Sequence, residues 1–277
     1  MRWLKLGVRL ATVCLIALPA AAAQAAPKAE LWAKWTANNA SSTATIPHNA
    51  WDAFLKRHVR LDTDGIARVA YRAIDRADRA QLAAYIAALE SVGISGFNRR
   101  EQLAYWINLY NAVTVKIVAE HPSAASVRDI NISPGLFATG PWGKKVVMIE
   151  REPVSLDDIE HRILRPIWRD PRIHYAVNCA SLGCPNLLRD AFTAANADAL
   201  LNAAARNYVN HPRGMRIEAG RLTVSSIYVW FKEDFGGTDA GVLAHLRAYA
   251  DAQTAAALAG RTQIDRDAYD WRLNDIK

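Results

Sequence analysis

The pattern of apolar and polar positions along the chain predicts helices separated by short strands. Apolar residues recur at helical spacing over 48–60, 75–91, 98–121, 155–164, 194–209, 226–235 and 238–258. Runs typical of strands or hairpins cover 61–74, 145–150, 172–178, 215–225 and 262–274. Because the strands come singly or in hairpins and do not alternate regularly with helices, the pattern favours an α+β fold with a small mixed or antiparallel sheet.

The stretch that begins at Asn98 predicts a buried central helix. Asn98 is a good N-cap with Glu101 three residues later, as in a capping box, and His121-Pro122 ends the helix. One face is apolar and carries Leu103, Trp106, Tyr110, Val113 and Ile117. The opposite face is also largely apolar, which is typical of a helix inside the core. Glu101 and Asn108 would then lie in one row, two turns apart, in or near the core.

The N-terminus predicts an export signal. Three basic residues precede an apolar run over 10–23, and Ala23-Gln24-Ala25 is a small-x-small cleavage site. The apolar run is shorter than the roughly 20 residues that span a membrane. We therefore expect a signal peptide over 1–25, a loose lead-in over 26–47 and a single globular domain over 48–277. The mature chain would be periplasmic or secreted, with no transmembrane segment after cleavage.

Composition and charge narrow the classes of partner. The formal net charge is +7, and charges of both signs alternate along the chain without a block of one sign. This distribution argues against a nucleic-acid-binding arm. Nine residues are Trp, so we expect a well-packed core with some indole rings at clefts. The expected partner is an unknown small molecule or a peptide, and no nucleic acid.

Four ordered strings of residues resemble one known family. They are E-Q-L-A-Y-W-I-N-L-Y-N over 101–111, S-L-D-D-I-E-H-R-I-L-R over 155–165, D-P-R-I-H-Y-A-V-N-C-A-S-L-G-C-P over 170–185, and Y-D-W-R-L-N over 269–274. Together they resemble the family called domain of unknown function 547. The resemblance covers roughly 90–250 plus the terminal string, and it implies a shared domain without implying a reaction.

Cys179 is the candidate nucleophile. It follows a predicted strand and opens a turn that carries Ser and Gly, where free backbone N–H groups could bind an oxyanion. His161 and His174 are the candidate bases. Side chains alternate along a strand, which would place His174 and Cys179 on different faces, so His161 is the better candidate. This arrangement would suit a cysteine-dependent hydrolase or acyl-transferase.

Three polar residues are candidates for orienting the imidazole: Glu101, Glu160 and Asn108. Glu160 lies on the apolar stripe of a predicted helix, so burial would be costly unless the carboxylate has a partner. Each residue also has a plain structural explanation. Glu101 can be a capping-box acid, Asn108 can bond the backbone of a neighbouring segment, and His161 can be a solvated or satisfied histidine.

The two cysteines of the mature chain leave other functions open. Cys179 and Cys184 can form a structural disulfide, in which case the protein would be a non-catalytic binding or interaction module of the cell envelope. A thiol redox function would need an unusually low thiol pKa. The spacing of these cysteines and of His161 and His174 does not specify zinc, and the sequence contains no phosphate loop or dinucleotide fingerprint. We therefore expect no metal and no cofactor.

Overall fold

The structure, a computed structural model, describes residues 27–135 and 138–276. The predicted signal peptide over 1–25 lies outside the described residues. The α-helices are α1 (Asn49–His58), α2 (Arg76–Glu90), α3 (Arg99–Ala119), α4 (Arg165–Trp168), α5 (Ala197–Val209), α6 (Ile227–Trp230), α7 (Asp239–Tyr249) and α8 (Ala252–Ala257). A π-helix, Asp158–Leu164, runs directly into α4.

The strands are short and form three separate sheets. They are β1 (Val59–Leu61), β2 (Ala67–Val69), β3 (Lys145–Ile149), β4 (Glu152–Ser155), β5 (Met215–Glu218), β6 (Arg221–Ser225) and β7 (Arg266–Ala268). β1–β2 and β3–β4 are antiparallel pairs, whereas β6 pairs antiparallel with β5 and parallel with β7. The predicted α+β class with a small mixed sheet is confirmed.

α3 is the buried central helix that the sequence predicts. The Asn98 side chain accepts hydrogen bonds from the backbone N–H groups of Arg100 and Glu101, which satisfies the first turn. Trp106 and Asn108, on different faces, are 1% and 0% exposed. A helix buried on all sides needs partners for its polar side chains, and this requirement places Asn108 and Asn111 against backbone groups of other segments.

Two hydrophobic clusters divide the interior. The larger cluster surrounds α3, and the smaller one lies among α5, α7 and the β5–β6 hairpin. Tyr175 belongs to the smaller cluster, whereas Val177 and Ala180 belong to the larger one. The segment that carries Cys179 therefore runs along the seam between the two clusters.

The segment before α1 is more ordered than the expected loose lead-in. Glu30 and Trp32 donate backbone hydrogen bonds to the carbonyls of His161 and Arg162, at 2.9 and 3.0 Å. Trp35 is 2% exposed and its ring lies 5.1 Å from that of Trp106. Burial of such large indole rings outweighs the polar composition of the segment.

Two further expectations about local structure are wrong. Residues 172–178 do not form a strand, because Asp170 accepts a hydrogen bond from the N–H of Arg172 and caps a 3-10 helix over Pro171–Tyr175. The helix predicted over 238–258 is split, because Ala250 is extended and Asp251 caps a new helix, α8, through the N–H of Thr254.

The helices among the described residues include none that is long and apolar enough to cross a membrane.

Candidate functional site

Two asparagines fix the turn that carries Cys179. Asn111 of α3 donates to the carbonyl of Ala176 at 2.8 Å and accepts from the N–H of Asn178 at 2.8 Å. The Asn178 side chain in turn accepts from the N–H of Ala180 at 2.8 Å and donates to the carbonyl of Pro185 at 2.6 Å. Ala180 has a left-handed backbone, with φ of +64°, which costs energy in a residue with a Cβ. The buried amides hold the turn in this strained shape.

The segment after β7 closes the other side of the turn. Leu182 and Gly183 donate backbone hydrogen bonds to the carbonyls of Arg272 and Asp270, each at 2.8 Å. A Cβ on Gly183 would lie 2.7 Å from the backbone nitrogen of Asp270, so this close approach requires glycine. The contact brings Tyr269, which is distant in sequence, to the thiol.

The thiol of Cys179 has polar neighbours on several sides. Its Sγ lies 3.1 Å from the hydroxyl of Tyr269 and 3.2 Å from Oγ of Ser181. Its backbone N–H donates to Sγ of Cys184 at 3.0 Å. Both cysteines are free thiols, with Cys179 half-buried and Cys184 only 3% exposed.

The two thiols have opposite pKa shifts. Hydrogen bonds from the Cys184 thiol, and then from Ser181 and Tyr269, outweigh burial and lower the pKa of Cys179 to about 7. Burial raises the pKa of Cys184 well above its usual value. At neutral pH a large share of Cys179 is therefore thiolate, whereas Cys184 keeps its proton.

Most N–H groups of the turn already have acceptors within the protein, so they do not form the expected oxyanion site in this conformation. The N–H of Cys179 donates to Sγ of Cys184, and the N–H of Ala180 donates to Oδ1 of Asn178. The N–H groups of Leu182 and Gly183 donate to the carbonyls of Arg272 and Asp270. The N–H of Cys184 donates to the carbonyl of Ser181. The N–H of Ser181 is directed at the Cys179 thiol and contributes to its low pKa. Apart from the N–H of Ser181, none of these donors is free for a substrate oxygen.

The candidate histidines lie in a second group of polar residues, which we call the acid–histidine cluster: Asp157, Glu160, His161, Arg165, His174 and Asp234. His174 Nε2 lies 2.7 Å from Oδ2 of Asp234, and its Nδ1 lies 3.7 Å from Oε1 of Glu160. Arg165 donates to Nδ1 of His161 at 2.9 Å, which leaves the proton of that neutral imidazole on Nε2.

Burial and charge divide the cluster into ionised and neutral groups. Burial lowers the pKa of His161 to about 4. Burial acts in the same direction on His174, but Asp234 and Glu160 outweigh it and raise the pKa of that imidazole. Glu160 keeps its charge, because His161, His174 and Arg165 outweigh burial and lower its pKa to about 2. Burial, followed by the charges of Glu160 and Asp158, raises the pKa of Asp157 to about 6.

Aromatic rings lie between the thiol site and the acid–histidine cluster. The Trp230 ring lies 4.8 Å from that of Tyr269, and the ring of the next residue, Phe231, stacks on His174 at 4.4 Å. Among the described residues, no histidine is hydrogen-bonded to Cys179 Sγ. His161 and His174 are thus brought together with Glu160, while Cys179 is brought together with Tyr269.

The other two candidate orienting residues serve the scaffold in this structure. Glu101 Oε2 accepts a hydrogen bond from the N–H of Ile46 at 3.3 Å. Asn108 donates to the carbonyl of Phe192 at 2.7 Å and accepts from its N–H at 3.1 Å. Neither side chain is hydrogen-bonded to a histidine. Of the three, only Glu160 lies beside the imidazoles.

Sequence reasoning missed Asn111 and Tyr269 as parts of the site. Asn111 had a signal, because an amide inside a helix that is apolar on both sides needs a partner. Tyr269 lies in the terminal string of the family resemblance, yet the sequence does not show that this string reaches Cys179. Among the described residues, no group of three or more His, Cys, Asp or Glu side chains is arranged to hold a metal ion.

Comparison with known families gives one match. Residues 94–209 match the family model described as a protein of unknown function, DUF547. This segment is similar to the DUF547 family. The resemblance predicted from the sequence is thereby confirmed, and the DUF547 segment contains Cys179, Cys184, Glu160 and both histidines. Tyr269 and Asp234 contribute to the two groups from outside the DUF547 segment. No curated protein and no solved structure matches the chain.

Proposed function

We propose that the protein carries out thiol–disulfide exchange, with Cys179 as the attacking thiol and Cys184 as the resolving thiol. The observation that carries this proposal is the contact between two free thiols of opposite character. Cys179 is half-buried with a pKa lowered to about 7, and Cys184 is buried with a raised pKa. An attacking thiol works best when its pKa is near the ambient pH, and it then needs no imidazole base.

The exchange runs in two balanced steps. The Cys179 thiolate attacks one sulfur of a substrate disulfide, which forms a mixed disulfide and releases the first substrate thiolate. Cys184 then loses its proton to that thiolate and attacks Cys179 Sγ, which releases the second substrate thiolate and leaves a Cys179–Cys184 disulfide. The second thiolate takes a proton from water. Two electrons pass from the protein thiols to the substrate, and the reverse sequence oxidises a dithiol.

A cysteine-dependent hydrolase or acyl-transferase is the second candidate. One observation favours it: the Tyr269 hydroxyl lies 3.1 Å from Cys179 Sγ and keeps its proton, because burial raises its pKa well above the usual value. A neutral hydroxyl beside the sulfur is a donor for the oxygen of an acyl group bound there. The scarcity of free N–H donors and the lack of a hydrogen-bonded histidine place acyl transfer behind disulfide exchange.

We also propose that the protein acts in the periplasm or after secretion. Support comes from the basic N-terminus, the short apolar run and the small-x-small site over 1–25. Substrate disulfides persist in such compartments, whereas they are rare in the cytosol.

The test is trapping of the mixed disulfide. We expect reduced Cys184→Ser protein to form a stable mixed disulfide with oxidised N-acetylcysteine amide at Cys179, detected by mass spectrometry. Wild-type protein should pass through the adduct to an internal disulfide, and Cys179→Ser should form no adduct. The rate of iodoacetamide alkylation of Cys179 should rise with pH around a midpoint of about 7.

Three outcomes would decide against the proposal. An alkylation midpoint near that of an ordinary thiol, or no adduct in Cys184→Ser, would overturn disulfide exchange. Hydrolysis of activated esters that survives in Cys184→Ser and disappears in Cys179→Ser, without an adduct, would support acyl transfer. A pair that is isolated oxidised and resists disulfide exchange would support the non-catalytic binding module.

A further inference from the structure

Arg213 is a half-buried cation that the exchange reaction above does not use. It lies between α5 and β5, and its Cζ is 5.4 Å from the ring centroid of Tyr208, whose hydroxyl donates to the carbonyl of Gly183 at 2.6 Å. Nε of Arg213 is buried and has no acceptor among the residues that the structure describes. Within the same residues, Arg213 makes no ion pair with a carboxylate. Because a buried charge is costly unless it is paired, a negative partner is expected close to this guanidinium.

The hydrogen bonds of Arg213 enclose the loop that carries Cys184. Nη1 donates to the carbonyl of Leu182 at 3.0 Å, and Nη2 donates to Oδ1 of Asn186 at 2.5 Å. Cys184 lies midway between these two residues in the chain. The guanidinium is therefore held beside the resolving thiol by contacts on both sides of the loop.

The groups around Arg213 identify Cys184 as the negative partner. Burial lowers the pKa of Arg213, whereas negative charge on Tyr208, Cys184 or Tyr269 would raise it, and the carboxylate of Asp64 contributes least. The two tyrosines keep their protons, because burial raises the pKa of each well above its usual value. Of the three groups, only Cys184 has to become an anion during disulfide exchange.

The order of the two steps determines when the charge of Arg213 acts. Before the reaction, burial raises the pKa of Cys184 most, and the hydrogen bond and the charge of Cys179 raise it further. Formation of the mixed disulfide removes the negative charge of Cys179, so these two contributions disappear. The cation remains beside the Cys184 sulfur, and a cation beside a thiol favours the thiolate.

We propose, resting on the thiol–disulfide exchange above, that Arg213 assists the resolving step by stabilising the thiolate of Cys184 while it attacks Cys179 Sγ of the mixed disulfide. In this step the bond between the two protein sulfurs forms, and the bond between Cys179 and the substrate sulfur breaks. The proton of Cys184 goes to the substrate thiolate that was released first. Arg213 transfers no proton and supplies only its charge.

The test separates the two steps in time. Reduced protein is mixed with oxidised N-acetylcysteine amide, quenched in acid at intervals and analysed by mass spectrometry, which gives the rate of adduct formation and the rate of its resolution. Arg213→Met removes the charge and keeps the apolar stem, Arg213→Gln removes the charge and keeps an amide donor, and Arg213→Lys keeps the charge. Arg206→Met, at an exposed position of α5, is the matched control.

We expect both neutral variants to move the midpoint of the pH profile of resolution upward by about one pH unit, because the thiolate of Cys184 has lost its cation. Below the midpoint, about one tenth of the thiolate then remains, but its nucleophilicity rises about threefold. Resolution should therefore be about threefold slower at neutral pH and no slower than in wild type above the midpoint. Adduct formation in all variants, and resolution in Arg213→Lys and Arg206→Met, should stay close to wild type.

The outcomes separate the two proposals. An unchanged resolution profile in the neutral variants would overturn the role of Arg213 while leaving disulfide exchange in place. A loss of the same size at every pH that Arg213→Lys does not restore would do the same, because Arg213 would then only support the loop. If urea denaturation shows that Arg213→Met is unfolded, Arg213→Gln, which keeps a donor for the loop, decides. Absence of the adduct in both wild-type and Cys184→Ser protein would overturn disulfide exchange itself.

Discussion

The thiol turn and the acid–histidine cluster lie on two sides of the same aromatic rings, yet they hold negative charge in different ways. Cys179 is stabilised as a thiolate by neutral donors: a second thiol, two hydroxyls and a backbone N–H. Glu160 and Asp234 are stabilised by imidazoles and a guanidinium. Neutral donors leave the thiolate without a counter-charge and therefore available to an electrophile, whereas the ion pairs neutralise their own charges.

The difference also separates the parts of the structure on which each group depends. The thiol turn depends on backbone hydrogen bonds made by Asn111, Asn178 and the segment after β7. The cluster depends on side chains from the π-helix, the 3-10 helix and Asp234. The two groups should therefore respond to different substitutions, which gives three ways to examine the comparison.

The largest effect is expected from Asn111→Ala, which disrupts the thiol turn alone. The substitution leaves the carbonyl of Ala176 and the N–H of Asn178 buried without partners. Unsatisfied buried groups of this kind cost about 1–3 kcal/mol each, so the free energy of unfolding should fall by about 2–4 kcal/mol. Urea denaturation measures the loss, with Asn38→Ala at an exposed position as the control. A loss below about 1 kcal/mol would contradict the role assigned to Asn111.

Asp157→Asn, a change in the acid–histidine cluster, should have an intermediate effect of the opposite sign: it should raise the free energy of unfolding. The pKa of this carboxyl is about 6 in the fold and 3.8 as its ordinary value, so ionisation destabilises the fold as pH rises from about 4 to 6. Asparagine removes that cost. Above pH 6 the variant should be more stable by about 1 kcal/mol, a figure reduced because solvent screens a half-exposed side chain.

Near pH 4 most of the benefit of Asp157→Asn should be gone, because the wild-type carboxyl is then protonated in the folded state and partly protonated in the unfolded state. Urea denaturation at pH 4 and pH 7 measures both ends of the window. Asp190→Asn, whose side chain is 60% exposed, is the control and should change stability by less than about 0.5 kcal/mol at either pH. A variant that is less stable than wild type at pH 7 would contradict the cost of ionisation assigned to Asp157.

The smallest effect is expected from Tyr269→Phe, which removes one neutral donor from the thiol. The fold keeps its aromatic contacts, and the pKa of Cys179 should rise by about half a pH unit to one unit. The pH profile of iodoacetamide alkylation measures the shift, with Tyr249→Phe as a control on a tyrosine that lies beside His245, away from the thiols. An unchanged profile would mean that Cys184 and Ser181 alone stabilise the thiolate.

The sequence was sufficient to predict the structural features that depend on residues close together in the chain. The caps and apolar faces of α3 lie within one segment, and so do the paired strands of β1–β2 and of β5–β6. Cys179 and Glu160 were also candidates from the sequence, because a cysteine after an apolar run and a carboxylate on an apolar stripe are unusual. The reaction proposed for Cys179 remains a prediction.

Features that depend on distant residues were not predictable from the sequence. The apolar run over 172–178 fits a strand, and only Asp170 with Pro171 turns its start into a 3-10 helix. With that change, the argument from strand alternation about His174 no longer applies. The occupation of the turn's N–H groups depends on Arg272 and Asp270, which a single sequence does not place beside Gly183. Contacts between residues so far apart in the sequence are set by the packing of the whole chain.

The docking of the segment after β7 has a consequence for the order in which the protein matures. Besides the thiol turn, this segment is bonded to Val69 and Ala125 through Asn274 and Leu273. A ribosome adds Tyr269 long after Cys179, so the nascent thiol lacks its hydroxyl neighbour and the turn lacks its second edge. The thiol of Cys179 therefore reaches its full acidity only after the segment that follows β7 has been synthesised and has docked.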